Sequence, residues 1–117
     1  MLPNFPEKKL FDLKWYNYYI IPRFEFDPVK SDSNRIKHGI NFLEAQKLWK
    51  DEYRRVLPVR SESEPREGMI GRIGADFWTC IFTNRGDKVR LISARRARHD
   101  EKELYRQSKE DYDRRGI

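Results

Sequence analysis

Two adjacent arginines, Arg95 and Arg96, end a run of branched aliphatic residues that is typical of a buried β-strand. An arginine side chain carries a planar fork of N–H donors, which binds two phosphate oxygens at once and stays charged. Cleavage of an RNA phosphodiester needs such cations, because negative charge develops on the phosphate oxygens in the transition state. The pair therefore indicates an anion site at the end of a strand, although ion pairs with acids of the following segment explain it equally well.

Proton transfer needs a second kind of side chain, for which His38 and Glu101 are the candidates. His38 stands in the last turn of a predicted helix, where the dipole favours a cation, so a structural role is the commoner explanation for this residue. Glu101 stands four residues before Tyr105 on another predicted helix. That spacing is compatible with a general base beside a phenol and with an ordinary helix pair.

Basic side chains elsewhere could bind RNA phosphates. Residues 85–106 hold eight Lys or Arg against four acids, and residues 28–50 hold five against two. Two basic segments in one small domain suggest a polyanionic partner, either nucleic acid or an acidic protein, although a solvated surface also explains a moderate charge excess. The candidates in and near these segments are Lys30, Lys37, Arg72 and Arg85.

Other kinds of site find little support. Cys80 is the only cysteine and stands in an apolar strand, which favours packing over nucleophilic chemistry. There is no glycine-rich phosphate loop, and two distant histidines without an acid cluster do not form a metal site. We expect no metal and no cofactor. No apolar run reaches the roughly 18 residues of a membrane span and the N-terminus is not a signal peptide, so we expect a cytoplasmic protein without a membrane partner.

The elements that must position these residues form one α+β domain in the prediction. Asp27 and Gly39 are expected to begin and end a first helix, and Asn41 to cap a second helix with a buried stripe. A charged helix closes the chain. Predicted strands cover residues 23–28, 54–60, 69–74, 77–83 and 88–95.

Strict alternation along the last predicted strand gives each arginine its own face. Val89, Leu91, Ser93 and Arg95 would share one face, and Arg96 would lie on the other. Residues 1–22 fit the plan poorly, so we expect an N-terminal extension outside a core domain of residues 23–117.

Four segments together resemble the BrnT family of bacterial type II toxins. They are FEFDPVKSDSNRIKHGINFLEA, IGRIG, TNRGDKVRLISARRA and EKELY. The resemblance covers about residues 23–106, with the segments in order, and it is specific because the pieces agree jointly. The chain departs from the family pattern at Phe26, where tryptophan is common, and in its N-terminal extension.

The resemblance implies a RelE-like fold, with two N-terminal helices on an antiparallel sheet of about four strands and a C-terminal helix. It implies a metal-independent endoribonuclease that arrests translation and is neutralised by a BrnA-like antitoxin. Such an antitoxin carries a ribbon-helix-helix domain, through which alone the complex would contact operator DNA. The alternative is a non-catalytic basic module, which binds RNA or serves as the inert partner of a DNA-binding repressor.

Carried onto this chain, the resemblance assigns two sets of residues. The catalytic set is Arg95, Arg96, His38 and Glu101. The RNA-binding set is Lys30, Lys37, Arg72, Arg85, Ser93 and Tyr105.

Overall fold

The computed structural model describes residues 22–114, within which five strands form one mixed sheet. The strands are β1 (Arg23–Glu25), β2 (Arg55–Val59), β3 (Arg66–Ile73), β4 (Asp76–Arg85) and β5 (Lys88–Arg96). Their spatial order is β1-β5-β4-β3-β2. All neighbours are antiparallel except β1 and β5, which are parallel.

The α+β class is confirmed, but the expected sheet of about four antiparallel strands is wrong. The short strand β1 adds a fifth member along the edge of β5, and it pairs with β5 in parallel. The expected N-terminal extension lies outside the described residues, except for Pro22. Within the described part of the chain, no helix has the length and apolarity to cross a bilayer.

The first helix begins and ends, and the second begins, where their capping residues predict. They are α1 (Pro28–His38), α2 (Phe42–Ala45), which continues as a 3-10 turn (Gln46–Lys50), and α3 (His99–Arg114). The Asp27 side chain accepts a hydrogen bond from the Val29 backbone N–H at 2.9 Å, and Gly39 ends α1 with φ +82°. Asn41 and Glu44 form a reciprocal capping box at the start of α2.

The larger core lies between α2, the 3-10 turn and one face of the sheet. The predicted stripe of α2 and its continuation is buried, namely Phe42, Ala45, Leu48 and Trp49. It packs against Trp78, Cys80, Phe82, Val89, Leu91 and Ala94 of the sheet. Cys80 is fully buried in this core, which confirms that it is a packed residue, and its burial raises the pKa of the thiol.

The opposite face of the sheet is covered at one end by α3. Tyr105 is 5% exposed and packs in a small cluster with Ile70 and Ala97. Helices therefore contact both faces of the sheet, and Tyr105 anchors α3 on its face.

A β-bulge at Ile92 changes the faces of β5. Ile81 pairs with Ser93 whereas the next residue of β4, Phe82, pairs with Leu91, so Ile92 has no partner in the ladder. The predicted grouping of Leu91 with Arg95 is wrong for this reason. Beyond the bulge, Ala94 continues the larger core, and Arg95 points with Ser93 towards the face that α3 covers.

Asn34 joins α1 to the open edge of β5 beyond the end of β1. Its side-chain N–H groups donate to the carbonyl oxygens of Ala94 (2.8 Å) and Ile40 (2.7 Å), while its oxygen accepts from the Ala94 N–H (3.1 Å). The amide thus replaces a neighbouring strand at this point. It fixes the last turn of α1, with His38, against the end of β5.

Candidate functional site

A cleft of about 280 Å³ lies where α1 ends beside the β3–β4 end of the sheet. Its lining consists of His38, Gly39, Ile40, Glu44, Ile73, Asp76, Trp78 and Arg96. Two of the predicted catalytic residues, His38 and Arg96, are therefore brought together although 58 positions separate them. The Asn34 hydrogen bonds hold the end of α1, with His38, against β5, and the register of β5 on β4 places Arg96 at the same end of the sheet.

Arg96 is held in the cleft but remains accessible. Its guanidinium lies 4.6 Å from the centre of the Trp78 ring and 2.7 Å from Asp76 Oδ1, and 62% of its side chain is exposed. Stacking and the ion pair orient the planar group, while a guanidinium has five N–H donors in total. The remaining donors can bind a phosphate that enters the cleft.

Arg95 makes a different contact, on the opposite face of the sheet. Its two terminal nitrogens donate to both carboxylate oxygens of Glu101, at 2.8 and 3.0 Å. The Arg95 side chain is only 25% exposed and the Glu101 side chain 9%. A two-point ion pair of this kind joins β5 to the first turn of α3.

The carboxylate of Glu101 is fully engaged by hydrogen bonds. Besides Arg95, the Thr79 hydroxyl donates to it at 2.9 Å and the Arg98 backbone N–H at 2.8 Å. Burial alone would raise the pKa of Glu101, but these donors outweigh it and lower the pKa to about 2. A carboxylate so strongly stabilised in its charged form is a poor proton acceptor at neutral pH.

Arg72 and Tyr105 meet at Asp51, in a second and larger cleft beyond β3. The Tyr105 hydroxyl and the Arg72 backbone N–H both donate to Asp51 Oδ2 at 2.8 Å. Burial and this hydrogen bond raise the pKa of Tyr105, so the phenol stays protonated. The side chain of Arg72 turns back to the Gly74 carbonyl oxygen (2.8 Å) and lies 5.8 Å from the Phe77 ring centre.

The other predicted RNA-binding residues lie apart from these two clefts. Lys30 and Arg85 line a smaller pocket near the opposite end of the sheet, where Arg85 pairs with Glu64 at 3.2 Å. Lys37 is exposed in the last turn of α1. Ser93 is half-buried on β5, on the face shared with Arg95. The ten predicted residues thus do not form one surface.

A family model described as the ribonuclease toxin, BrnT, of type II toxin-antitoxin systems matches residues 26–101. The match runs from the end of β1 to the first turn of α3, which is more than half of the chain and includes His38, Arg95, Arg96 and Glu101. This chain belongs to the BrnT family. It is therefore a ribonuclease toxin, with RNA as its substrate and an antitoxin as its partner. A search of curated proteins gives no significant match.

Three residues of the toxin's clefts were missed by sequence reasoning. Asp76 and Trp78 orient Arg96, and Asp51 joins the 3-10 turn to β3 and α3. Trp78 looked like ordinary core, and its role follows only from its cross-strand pairing with Arg96. Within residues 22–114 of the toxin, no three His, Cys, Asp or Glu side chains are grouped so that they could share a metal ion.

Proposed function

We propose that the toxin cleaves RNA in the cleft that contains Arg96 and His38, by attack of a ribose 2′-oxygen on the adjacent phosphorus. The observation that carries this proposal is the presence of an exposed, oriented guanidinium and an imidazole in one cleft. The new bond joins the 2′-oxygen to phosphorus, and the bond to the 5′-oxygen breaks. The products of this step are a 2′,3′-cyclic phosphate and a 5′-hydroxyl. A 3′-phosphate forms if water then attacks the cyclic phosphate and the bond between phosphorus and the 2′-oxygen breaks.

In this mechanism each side chain has one task. Arg96 binds the non-bridging phosphate oxygens, on which charge develops. His38 carries a proton, either from the attacking 2′-oxygen or to the leaving 5′-oxygen, and water exchanges the other proton. We favour His38 over Glu101 for this task because the Glu101 carboxylate is already engaged by four hydrogen bonds. Arg95 and Glu101 then act by positioning the end of β5.

Lys37 and Arg72 are proposed to bind the RNA backbone on either side of the cleft. Lys37 precedes His38 in the chain, and Arg72 stands on β3, two strands from Arg96. The more distant Lys30 and Arg85 would contact only a longer RNA, as would Ser93. Tyr105 would act through Asp51, which also receives the Arg72 N–H.

Several wider properties complete the proposal. The cations of the site are side chains, so the reaction is proposed to run without a metal ion. We propose a RelE-like arrangement of the sheet and helices, cleavage of mRNA that arrests translation, and action in the cytoplasm. The antitoxin is proposed to be BrnA-like, with a ribbon-helix-helix domain that brings the complex to operator DNA.

One observation favours a second candidate function. Both arginines have internal acidic partners, Asp76 for Arg96 and Glu101 for Arg95, and this neutralises part of their charge. In a non-catalytic basic module, which only binds RNA or a repressor partner, these ion pairs would be purely structural.

The test uses the purified toxin, freed of antitoxin, in EDTA with total RNA and with a fully 2′-O-methylated RNA. We expect the unmodified RNA to be cleaved and the methylated RNA to stay intact, because the methyl group removes the attacking hydroxyl. Cleavage that appears only when Mg²⁺ is restored would contradict the metal-independent mechanism. Intact RNA under both conditions would favour the binding module.

A further inference from the structure

The second cleft, of about 390 Å³, is lined by basic and aromatic side chains, of which the proposed function uses only Arg72 and the Tyr105–Asp51 pair. The lining is Lys47, Lys50, Asp51, Glu52, Tyr53, Arg72, Gly74, Tyr105 and Lys109. Four of these residues are cations and come from three different elements, the 3-10 turn, β3 and α3. The fold brings these four cations together, because no single element contains more than two of them.

The acidic residues of this cleft leave Lys47 and Lys50 available, whereas Lys109 pairs with Asp113 at 3.0 Å. Asp51 accepts hydrogen bonds from the backbone N–H groups of Tyr53 and Arg72 and from the Tyr105 hydroxyl, so its oxygens point into the protein framework. Lys47 and Lys50 are exposed, and neither forms an ion pair within residues 22–114. A polyanion can therefore contact both ammonium groups without displacing an internal partner.

More cations surround the aromatic ring beside the cleft. The charged groups of Arg72, Lys102 and Arg106 lie 5.8, 5.9 and 6.0 Å from the centre of the Phe77 ring. Arg106 already pairs with Glu103, whereas Arg72 and Lys102 form no ion pair within residues 22–114. Because like charges repel, an anion close to these two cations is favourable. The basic surface thus extends from the 3-10 turn across the end of β3 to α3.

This surface borders the cleavage cleft at the β3–β4 turn. Ile73 lines the cleavage cleft, and its neighbour Gly74 lines the second cleft. Arg72 pairs with Phe77 and Arg96 with Trp78, so the backbones of the two arginines lie two strand spacings apart, about 10 Å, on either side of β4. Because Phe77 and Trp78 are adjacent on β4, the two side chains point to opposite faces of the sheet, and an RNA strand that contacts both must pass around the β3–β4 turn. A single RNA strand can cross the turn and contact both clefts.

We propose that the second cleft, defined by Lys47, Lys50, Arg72 and Lys109, binds single-stranded RNA next to the scissile phosphate. The lysines contact the neighbouring phosphates, and an unpaired base takes the place of the Lys109 ammonium, which lies 5.3 Å from the centre of the half-buried Tyr53 ring. This inference rests on the proposed function, because the cleavage cleft defines which RNA phosphate lies next to the groove. It extends that site into a substrate groove that selects unpaired RNA.

The experiment measures binding of a fluorescent 2′-O-methyl RNA of about ten nucleotides, by anisotropy at several salt concentrations. The test variant is Lys47→Ala/Lys50→Ala. The control, Arg60→Ala/Lys88→Ala, removes the same charge at the opposite end of the sheet. Each phosphate contact on a single strand contributes about 0.7 to the slope of log K against log salt, so we expect the test variant to lower the slope by about 1.4 and the control to leave it unchanged.

An equal change of slope in the two variants would overturn the proposal, because it would show a long-range effect of net charge. An unchanged slope in the test variant, or a loss of antitoxin binding without a loss of RNA binding, would overturn it as well. Cleavage of unmodified RNA is measured in parallel. If the wild type does not cleave RNA but the slopes differ as expected, the cleavage proposal fails and the RNA groove stands.

Discussion

At the scale of single residues, Arg95 and Arg96 are neighbours in the chain that have opposite environments. Arg96 stacks on Trp78 and is largely exposed, whereas Arg95 is bound at two points by Glu101 beneath α3. The exposed arginine can exchange part of its pairing for a phosphate with little effect on the fold. The enclosed arginine cannot leave Glu101 without exposing a buried carboxylate to an apolar environment.

Glu101→Gln tests the structural role of this ion pair. Removing one partner of a buried pair leaves the other charge uncompensated, so we expect the free energy of unfolding at pH 7 to fall by about 3 kcal/mol. The matched control is Glu103→Gln, because Glu103 pairs with Arg106 on the exposed side of the same helix, where the loss should stay within about 1 kcal/mol. Urea denaturation measures both values.

The ion pair between Arg95 and Glu101 also predicts that the stability of the fold depends on pH. The pKa of Glu101 is lowered from its ordinary value of 4.5 to about 2 in the folded protein, so its stabilising contribution is complete above pH 4.5. That contribution is lost as the pH falls towards 2. The difference between wild type and Glu101→Gln should therefore narrow below pH 4.5, and a constant difference across this range would contradict the assignment.

At the scale of elements, the site depends on how α1 is attached to β5. The buried Asn34 amide makes three hydrogen bonds that no other side chain within residues 22–114 duplicates. They hold the last turn of α1 against β5, and His38 ends that helix. The distance between the imidazole and Arg96 is thus set by an asparagine four residues away.

Asn34→Ala should therefore weaken both the fold and the reaction. Three buried backbone groups lose their partners, so we expect the free energy of unfolding to fall by about 3 kcal/mol and RNA cleavage to slow even where the protein is folded. Ser33→Ala, at an exposed position of the same helix, is the control and should change neither. Normal cleavage by folded Asn34→Ala would show that the α1 anchor does not position His38.

The local elements could be predicted because their signals are local. Asp27, Gly39 and the Asn41–Glu44 box determine helix ends from neighbouring backbone groups, and the buried stripe of α2 follows from helical spacing. The bulge at Ile92 could not be predicted, since it depends on how β5 aligns with β4. One extra residue places Arg95 on the face opposite to Leu91, contrary to the expected grouping.

At the scale of the whole molecule, the positive charge is divided among separate surfaces. The sequence assigned ten residues to a catalytic and an RNA-binding set, but the fold distributes eight of them over two neighbouring clefts, a distant pocket and the contact beneath α3. Lys37 and Ser93 line none of these places. Residue type and family resemblance identify which residues are chemically suitable. Which surface each of them lies on depends on cross-strand pairing, which the sequence does not reveal. The antitoxin therefore has more than one basic surface available, and its binding need not require Arg96.

Growth assays separate the toxin from a pure binding module. We expect cells that express Arg96→Ala without antitoxin to grow, whereas the wild type arrests them, and we expect the variant to co-purify with antitoxin in the wild-type ratio. A protein that acts only by binding would lose both properties or neither. Arrest by a variant that still binds antitoxin would argue against catalysis at Arg96.

The most direct measurement is the single-turnover rate of RNA cleavage by Arg96→Ala in EDTA, beside its free energy of unfolding. Loss of a group that binds the developing negative charge typically slows a reaction by about 10²–10³-fold, and we expect a loss in this range. The free energy of unfolding should stay within about 1 kcal/mol of the wild type, because the ion pair with Asp76 is exposed. A folded variant that cleaves RNA at nearly the wild-type rate would show that the chemistry takes place elsewhere.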